Sequence, residues 1–478
     1  MTGTAIRITA LTSLLLLVGC ATVPREAGFG DVEKTVAERT GQRVHWNQGS
    51  PADEAVAAQV RALLGKELTV DEAVQVALLN NRELQAVYED LSIAQADLVA
   101  AGLLRNPVFD AEIRFTETEG HVGAELALVQ DFIDILYIPL RKRLATAAFE
   151  SAKLRVAGAV LDLSGEVRAA FYELQSAQQT LEMRRQVMTA TEASYDLAKR
   201  LRAAGNNTEL DLFNERALHE QAKVDVRRAE VQVLRGRERL NALMGLWGER
   251  ANWSIATRLP ELPAEAEEVA AEGVERQAIE RSLDLGAAQR ELEEAAAALG
   301  IARPFGWLPD AEIGASAERE PDGEWAIGPA FSLPIPLFNQ GQPAVAAAQA
   351  ELRRARERYA AQAVGIRAQA RALHATLLAA RDQAEYYAKV VLPLRQRIVD
   401  QTQLQYNAMQ VGAFQLLVAK QQQIDAANDY IRALRDYWLA RTQLDLLLSG
   451  RTTSFSELSS TDTEETSSPA AGGGRGGH

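Results

Sequence analysis

Residues 156–181 read VAGAVLDLSGEVRAAFYELQSAQQTL, a segment in which apolar residues recur at spacings of four and three. This average spacing of 3.5 residues is typical of helices that supercoil left-handedly around a partner. The seam consists of Val156, Val160, Leu163, Val167, Ala170, Leu174, Ala177 and Leu181. Alanine at two seam positions would let neighbouring helices approach closely, so the pattern predicts a long helix with tightly packed neighbours.

The same seam occurs a second time in the C-terminal half of the chain. Its positions are Ala363, Ile366, Ala370, Leu373, Leu377, Ala380, Ala384 and Tyr387. The first rod is predicted to begin after a strand signal that ends near Ile138 and Pro139 and to reach Gly205, about 95 Å. The second is predicted from Gly341 to Gly412. We therefore expect an internal duplication, with one copy over residues 67–262 and the other over 263–450.

Each rod is predicted to turn back at a glycine and to return as a helix of about 35 residues. In the first copy Gly205-Asn206-Asn207 tolerates positive φ, and Thr208 with Asp211 has the spacing of a capping box. Gly412 is expected to play the same part in the second copy. Helices from about Val70 to Leu104 and from Glu265 to Arg303 are expected to cover the remainder of the rods.

One proline distinguishes the second rod from the first. Pro393 lies inside the helical pattern and cannot donate a backbone hydrogen bond. A kink or a local unwinding is therefore expected near Val391.

Two segments with a period of two, 108–132 and 310–335, separate the helices of each copy and predict two strand pairs. One face of these strands is apolar, and the other carries mainly acidic residues. The predicted water-facing residues are Asp110, Glu112, Arg114, Glu125, Asp310, Glu312, Glu318 and Glu324. Strands of roughly nine to twelve residues match the tilted length that crosses a hydrocarbon layer.

Four strands cannot close a transmembrane barrel, and open sheet edges are not tolerated in lipid. Three chains would supply twelve strands. The predicted fold is thus mainly α with a small β part, a trimeric 12-stranded transmembrane β-barrel continued by a long α-helical barrel of coiled-coil hairpins. A soluble four-stranded sheet on a helical stalk, or a plain coiled-coil rod, is the alternative that periodicity leaves open.

Charge and composition argue against two functional classes. The 478 residues include 51 Lys and Arg against 65 Asp and Glu, and the net charge of −14 disfavours binding to nucleic acid. The five histidines are far apart, and none has a ligand partner at helical spacing, so neither a metal site nor another cofactor is expected. The sequence contains no phosphate-binding loop and no nucleophile elbow, so an enzyme is not expected.

The N-terminus has the pattern of a targeting segment. Arg7 precedes an apolar run from Ala10 to Val18, and Leu17-Val18-Gly19-Cys20 resembles a bacterial lipobox. This resemblance implies a lipoprotein signal peptide over residues 1–19 and lipidation of Cys20. Residues 20–66 are expected to form a lipid-anchored tether and equatorial segment. Residues 451–478, rich in Ser, Thr, Glu and Gly, are expected to be a disordered tail.

Several motifs together resemble the TolC-type outer-membrane efflux factors, over almost all of the mature chain. They are Leu68-Thr69-Val70-Asp71-Glu72-Ala73 with Asn80-Asn81, Ala101-Gly102-Leu103-Leu104-Arg105-Asn106-Pro107, the two glycine tips, and Phe331-Ser332-Leu333-Pro334-Ile335-Pro336-Leu337-Phe338-Asn339. The last, with Gly341, is similar to the heavy-metal and cation efflux branch. The resemblance implies a lipid-anchored homotrimer in the outer membrane that extends into the periplasm. It also implies docking to a periplasmic adaptor and an inner-membrane pump of the resistance-nodulation-division type.

The same resemblance assigns functional residues. Adaptor contacts map onto Arg200, Leu201, Gly205, Asn206, Thr208, Tyr406, Val411, Gly412 and Ala413. Relatives constrict the pore with an aspartate ring near the second tip, but Gln415 to Val418 occupy that region here, so Glu209 and Asp211 are the candidate gate. Asp211 is equally well explained as a residue that starts a helix. The predicted function is a passive efflux channel for metal cations or organic compounds, and the alternative is a structural coiled-coil lipoprotein without channel activity.

Overall fold

The structure, a computed structural model, describes residues 22–115, 122–131, 134–270, 272–305, 312–319, 324–332, 335 and 337–452. The first copy and the segment before it contain two short helices, a helix pair, a strand pair and a long helical hairpin. These elements are α1 (Phe29–Thr40), α2 (Pro51–Leu64), β1 (Glu67–Leu68), α3 (Val70–Asn80), α4 (Arg82–Ala101), β2 (Val108–Phe115), β3 (Val122–Asp131), α5 (Asp134–Ala203), α6 (Glu209–Met244) and β4 (Ser254–Ile255).

The second copy repeats the helix pair, the strand pair and the hairpin. Its elements are α7 (Val274–Arg281), α8 (Leu283–Phe305), β5 (Glu312–Arg319), β6 (Trp325–Ser332), α9 (Gln342–Tyr386), a π-helical segment (Tyr387–Val391), α10 (Leu392–Asn407) and α11 (Ala413–Leu448). The two returning helices, α6 and α11, are each 36 residues long. Both values agree with the predicted length.

The chain divides into two compact units, and each contains segments from both copies. One comprises Met1–Val32, Val87–Val156 and Gly286–Ala360, and it carries the larger sheet. The other comprises Glu33–Ala86, Ala157–Leu285 and Ala361–His478, and it carries the helical hairpins.

The larger sheet is antiparallel, with the strand order β2-β3-β5-β6. The strand pairs of the two copies are joined through β3 and β5, where Leu128 lies opposite Ala315. A second, two-stranded sheet pairs β1 with β4 in parallel. In the described part of the chain, β2 and β6 each pair with only one strand, so both edges of the four-stranded sheet are open.

The predicted seams form the interior of the hairpin unit. In α5, Val160, Val167, Ala170 and Leu174 are buried, and in α9, Ile366, Ala370, Leu373 and Leu377 are buried. Ala177, Ala363 and Tyr387 are only half-buried, at the margins of the seams. The heptad pattern therefore identified the packed face of both rods.

From the buried seam to the tip, the second rod is one residue longer than the first, and the π-helical segment accommodates this additional residue. Leu163 corresponds to Ile366 along the seam, a shift of 203 residues, whereas the rods end at Ala203 and Asn407, a shift of 204. A π-helical turn accommodates one additional residue without changing the register of the helix around it. The segment lies directly before Leu392 and Pro393, so the local unwinding that Pro393 predicts is confirmed.

The start of the first long helix differs from the sequence prediction. The strand signal up to Ile138 is wrong, because α5 begins at Asp134 and contains Pro139. Ile135, Leu136, Pro139, Lys142 and Arg143 are exposed, and this spacing of three and four residues is helical rather than extended.

The covering helices are also not continuous. In the first copy the helix breaks at Asn81, whose backbone is extended, and in the second it breaks at Ser282. The first break has a physical cause, because the Asn80 side chain donates to the carbonyls of Met244 and Gly245, both at 2.8 Å. In the second copy, the N–H of Leu283 donates to the carbonyl of Gly450 at 2.8 Å. Each break thus supplies partners to the end of a returning helix.

The segments that flank the two repeats contain structure that the sequence did not predict. Helices α1 and α2 lie within residues 20–66, and a capping box of Ser50 and Asp53 begins α2. At the other end, the Arg451 guanidinium donates to Asp162 at 2.7 Å, so the first residue of the predicted tail contacts α5. Residues 1–21, which include the predicted signal peptide, and residues 453–478 lie outside the described residues.

A buried ionic cluster joins the linker before α7 to the second hairpin. Glu268 accepts hydrogen bonds from the Arg381 guanidinium, from the Tyr437 hydroxyl, and from Arg441 at 3.3 Å. Arg381 also donates to the carbonyl of Pro263 at 2.9 Å. Burial and the hydrogen bond to Glu268 raise the pKa of Tyr437 to about 12, so its hydroxyl stays protonated and remains a donor. Such a cluster fixes the linker against α9 and α11, because each partner would otherwise lose its compensation for burial.

Deletion of Ala388 tests the one-residue register of the second rod. Without this exposed residue the π-helical turn should become α-helical, and the seam residues on both sides should keep their contacts. With Pro393→Ala in the same variant, so that no proline interrupts the new α-helical turn, the thermal unfolding temperature should stay close to that of the wild type. Deletion of the exposed Ala193 in the regular part of α5 is the matched control, and it should lower this temperature strongly, because it rotates one side of the seam by about 100°. Equal losses in the two deletions would contradict the register.

Candidate functional site

The register of the larger sheet places most of the predicted water-facing residues on one face. Directly opposite residues of neighbouring antiparallel strands share a face. Glu112 lies opposite Glu125, and Glu125 lies opposite Glu318, so three strands contribute to one acidic row. Asp110, Arg114 and Glu312 follow on the same face by alternation. Glu324 directly precedes β6, and Asp310 lies outside the described residues.

Arg114 is the basic residue within this acidic row. Its guanidinium donates to Glu112 at 2.9 Å and to Glu125 at 2.9 Å, so it bridges β2 and β3. Glu318 is not among the ion-pair partners that the described residues show for Arg114. With one cation among three carboxylates, the row keeps a negative formal charge.

The sequence interpretation missed one acidic residue on the same face. Asp131 lies opposite Glu312 at the end of the sheet from which α5 departs, and its carboxylate is 3.9 Å from the Arg105 guanidinium. The alternation that begins at Gly123 and Glu125 reaches Asp131, so the period of two could have identified it.

The opposite face of the sheet is apolar and exposed. Phe331 is 81% exposed, Ile327 79% and Phe115 78%. Phe109 and Ile113 share this face and are also exposed. Soluble monomers rarely expose a contiguous apolar surface of this kind, so the face requires another apolar partner.

The first hairpin tip is formed as the sequence predicts. Gly205 has a φ of 80°, and the N–H of Asn206 donates to the carbonyl of Leu201 at 2.9 Å. Thr208 then caps α6, because its hydroxyl accepts from the N–H of Asp211 at 3.1 Å. The Asp211 carboxylate accepts from the N–H of Thr208 at 3.2 Å, which completes the capping box.

The second tip has the same geometry with different residues. The residue with positive φ is Met409, at 56°, and Gly412 has an extended backbone and serves as the N-cap of α11. The prediction that Gly412 is equivalent to Gly205 is therefore wrong, since Gly412 is equivalent to Thr208. The Gln415 side chain accepts from the N–H of Gly412 at 3.0 Å and so takes the place of Asp211.

A groove of about 120 Å³ lies between the two tips. Of the predicted adaptor and gate residues, it brings together Leu201, Asp211 and Tyr406. Residues that the sequence interpretation missed also line it, and these include Asn207, Asn214, Glu215, Gln403, Phe414 and Lys420. Glu215 follows Asp211 by one helical turn, and this spacing could have indicated it.

The remaining predicted tip residues do not line this groove. Arg200 lies in the last turn of α5, Glu209 begins α6, and Ala413 begins α11. Gly205, Asn206, Thr208, Val411 and Gly412 belong to the turns themselves. Cys20 lies outside the described residues.

Two features are absent from the described residues. No cluster of three or more histidine, cysteine, aspartate or glutamate side chains has the arrangement of a metal site. None of the described helices combines the length and the apolar character that crossing a bilayer requires.

A duplicated chain with long helical hairpins and an amphipathic four-stranded sheet defines a class of membrane-channel subunit. The family model described as "outer membrane efflux protein" matches residues 73–246 and 274–450. The chain belongs to this family. The two matched ranges correspond to the two copies of the internal repeat.

Individual relatives agree with the family match. The cobalt-zinc-cadmium resistance protein CzcC of Cupriavidus metallidurans is 22% identical over 387 residues, which cover 80% of this chain and 90% of CzcC. The toluene efflux pump outer membrane protein TtgC of Pseudomonas putida is 24% identical over 356 residues, 68% of this chain and 70% of TtgC. The crystal structure of CusC has a TM-score of 0.66 and 15% identity, and covers 80% of this chain and 92% of CusC. This last likeness shows a shared fold.

The family assignment decides between the two predicted functions. The protein is an outer-membrane efflux channel, and the family works with adaptor and inner-membrane pump partners. Outer membrane efflux proteins are channels and not enzymes, and they reach into the periplasm.

Substitution of Met409 tests the geometry of the second tip. A left-handed backbone is unfavourable for a residue with a Cβ and neutral for glycine. Met409→Gly should therefore stabilise the tip by about 0.5 kcal/mol, after subtraction of the larger entropy of the unfolded glycine chain. Hydrogen exchange of the amides in residues 405–415 should become slower. Met409→Leu is the control and should leave exchange unchanged. Faster exchange in Met409→Gly would contradict the assigned backbone.

Proposed function

We propose that three copies of this chain form one continuous efflux channel, a 12-stranded β-barrel in the outer membrane followed by an α-helical barrel in the periplasm. The observation that carries this proposal is the four-stranded sheet, whose edge strands β2 and β6 are open in the described part of the chain. Unpaired backbone groups cannot face lipid, so a sheet in a membrane must close. Three chains would supply twelve strands, and the sheet would close with β6 of one chain beside β2 of the next chain.

The two faces of the sheet support this arrangement. The exposed apolar face with Phe109, Ile113, Phe115, Ile327 and Phe331 suits contact with lipid. The opposite face, with Glu112, Glu125 and Glu318 in one row, suits a water-filled lumen. Three chains would place three such rows around the lumen and produce a negative potential inside the barrel.

The acidic lumen favours cations as the transported species. A row of carboxylates lowers the energy of a cation in a narrow pore and raises that of an anion. The name of CzcC, cobalt-zinc-cadmium resistance protein, agrees with metal cations, whereas the name of TtgC refers to toluene. The acidic row leads us to propose metal cations as the substrate class for this chain.

The hairpin tips are the proposed docking surface for the adaptor, which connects the channel to a pump of the resistance-nodulation-division type. The proposed contacts are Arg200, Leu201, Gly205, Asn206, Thr208, Tyr406, Val411, Gly412 and Ala413. Glu209 and Asp211 supply acidic groups at the first tip, and in the second copy Ala413 and Gln415 stand at the equivalent places. The proposed gate is therefore acidic at alternate tips around the ring.

Conductance in planar bilayers tests the channel and its selectivity. The wild-type protein should migrate as a trimer on mild electrophoresis. In a salt gradient, the reversal potential of its single channels should show that K⁺ is more permeant than Cl⁻. Glu125→Gln with Glu318→Gln removes two of the three carboxylates in each acidic row. It should shift the reversal potential toward zero and leave the trimer intact. Asp211→Asn, recorded in the same way, should weaken cation selectivity at the periplasmic entrance.

The matched control for these recordings is Glu249→Gln with Glu272→Gln, two exposed residues outside the sheet and the tips. It should behave as the wild type. A wild-type protein that forms no trimer and conducts no current would disprove the channel. Unchanged selectivity in the sheet variant would remove the acidic row from the proposal.

The lipid anchor is tested separately through Cys20. If Cys20 is the lipidated residue, then Cys20→Ala should abolish incorporation of radiolabelled palmitate, because the chain contains no other cysteine. Cells that express the wild-type protein provide the reference, and Ser13→Ala in the apolar run is the control. Label that persists in Cys20→Ala would show that the anchor is wrongly assigned.

A further inference from the structure

The end of the sheet from which the long helices depart has its own surface chemistry. Asp131 lies opposite Glu312, and Glu312 lies opposite Ser332, so these three strand ends are at one level. Helix α5 begins three residues after Asp131. The chain also enters β2 at this level, because the Gln130 side chain donates to the carbonyl of Arg105 at 3.0 Å.

Large apolar side chains are exposed around this end of the sheet. We call this set the apolar collar, and it comprises Leu103, Leu104, Ile135, Leu136, Ile335, Leu337 and Phe338. Phe338 is 96% exposed, and Ile335 and Leu337 are 75% and 71% exposed. The collar draws on three separate segments of the chain, which are the approach to β2, the first turn of α5 and the segment after β6. Folding of this chain alone does not bury these side chains.

A basic pair follows the collar along α5. Ile135, Leu136, Pro139, Lys142 and Arg143 are the exposed positions of the first turns, so they lie on one side of the helix. Lys142 and Arg143 are seven residues beyond the two apolar positions, about 10 Å along the helix axis. Along this line the surface changes from apolar to cationic.

We propose that the apolar collar and the pair Lys142 and Arg143 bind the periplasmic leaflet of the outer membrane, and specifically its anionic phospholipids. The collar enters the boundary between acyl chains and headgroups, and the two cations bind lipid phosphates. This inference rests on the outer-membrane channel proposed above and adds a lipid preference to it.

Two observations favour a lipid leaflet over a protein partner. The collar follows the exposed apolar face of the sheet in sequence, since Ile335 comes four residues after Phe331 of β6. The order along α5 also matches the order of layers in a bilayer, where the headgroup region follows the hydrocarbon within several ångströms. Long basic side chains reach across such a distance with their charged ends toward the phosphates.

The test counts bound lipids on the full-length protein in a non-ionic detergent by native mass spectrometry. Phosphatidylglycerol and phosphatidylcholine with identical acyl chains are titrated separately. The wild-type protein should bind phosphatidylglycerol more tightly. Lys142→Gln with Arg143→Gln should weaken phosphatidylglycerol binding by roughly tenfold or more and leave phosphatidylcholine unchanged. Leu337→Ser with Phe338→Ser should weaken both lipids, because it removes apolar contacts that both share.

The matched control is Arg227→Gln with Arg228→Gln, an adjacent and exposed basic pair on α6. It should bind both lipids as the wild type does. Equal affinity of the wild type for the two lipids, or an unaltered phosphatidylglycerol affinity in Lys142→Gln with Arg143→Gln, would overturn the proposal. Conductance of Lys142→Gln with Arg143→Gln in phosphatidylcholine bilayers distinguishes the two proposals. A protein that conducts current but shows no preference for phosphatidylglycerol would contradict the lipid-binding proposal and leave the channel proposal intact.

Discussion

The hydrogen-bonding groups along the edges of the four-stranded sheet impose the strictest requirement on this protein. Strands β2 and β6 each have one neighbour among the described residues, so their outer N–H and C=O groups need partners. In water these groups would be solvated, but in hydrocarbon each unpaired group costs several kcal/mol. The apolar face of the same sheet is also exposed, and it favours an apolar environment over water. The proposed closure by two further chains would satisfy both requirements at once.

The internal duplication makes such closure possible with few chains. Each copy supplies one antiparallel strand pair and one hairpin with a returning helix of 36 residues. The copies differ by one residue within the rods, and the π-helical turn at Tyr387–Val391 absorbs that residue. The tips are therefore equivalent in backbone, although glycine takes the positive φ in one and Met409 in the other. Chemical differences between the tips, such as Asp211 against Gln415, then remain as the means by which the copies can differ in function.

Periodic features were predictable from the sequence, and single-residue features were not. The buried seams of α5 and α9 and the two faces of the sheet follow from spacings of 3.5 and 2, which extend over many residues. The capping box of Thr208 and Asp211 was predictable for the same reason, because its spacing is fixed. The turn at Met409 was not, since glycine at 412 is the stronger local signal for positive φ. The breaks at Asn81 and Ser282 depend on contacts with Gly245 and Gly450, which are distant in sequence.

The number of strands in the assembled barrel is the most direct measurement of the central claim. Electron cryomicroscopy of the full-length protein in lipid nanodiscs would resolve it. Twelve strands from three chains are expected, with β6 of each chain hydrogen-bonded to β2 of the next chain. The row of Glu112, Glu125 and Glu318 should face the lumen. A four-stranded sheet with open edges, or a barrel with Phe115 and Phe331 toward the lumen, would contradict the trimeric channel.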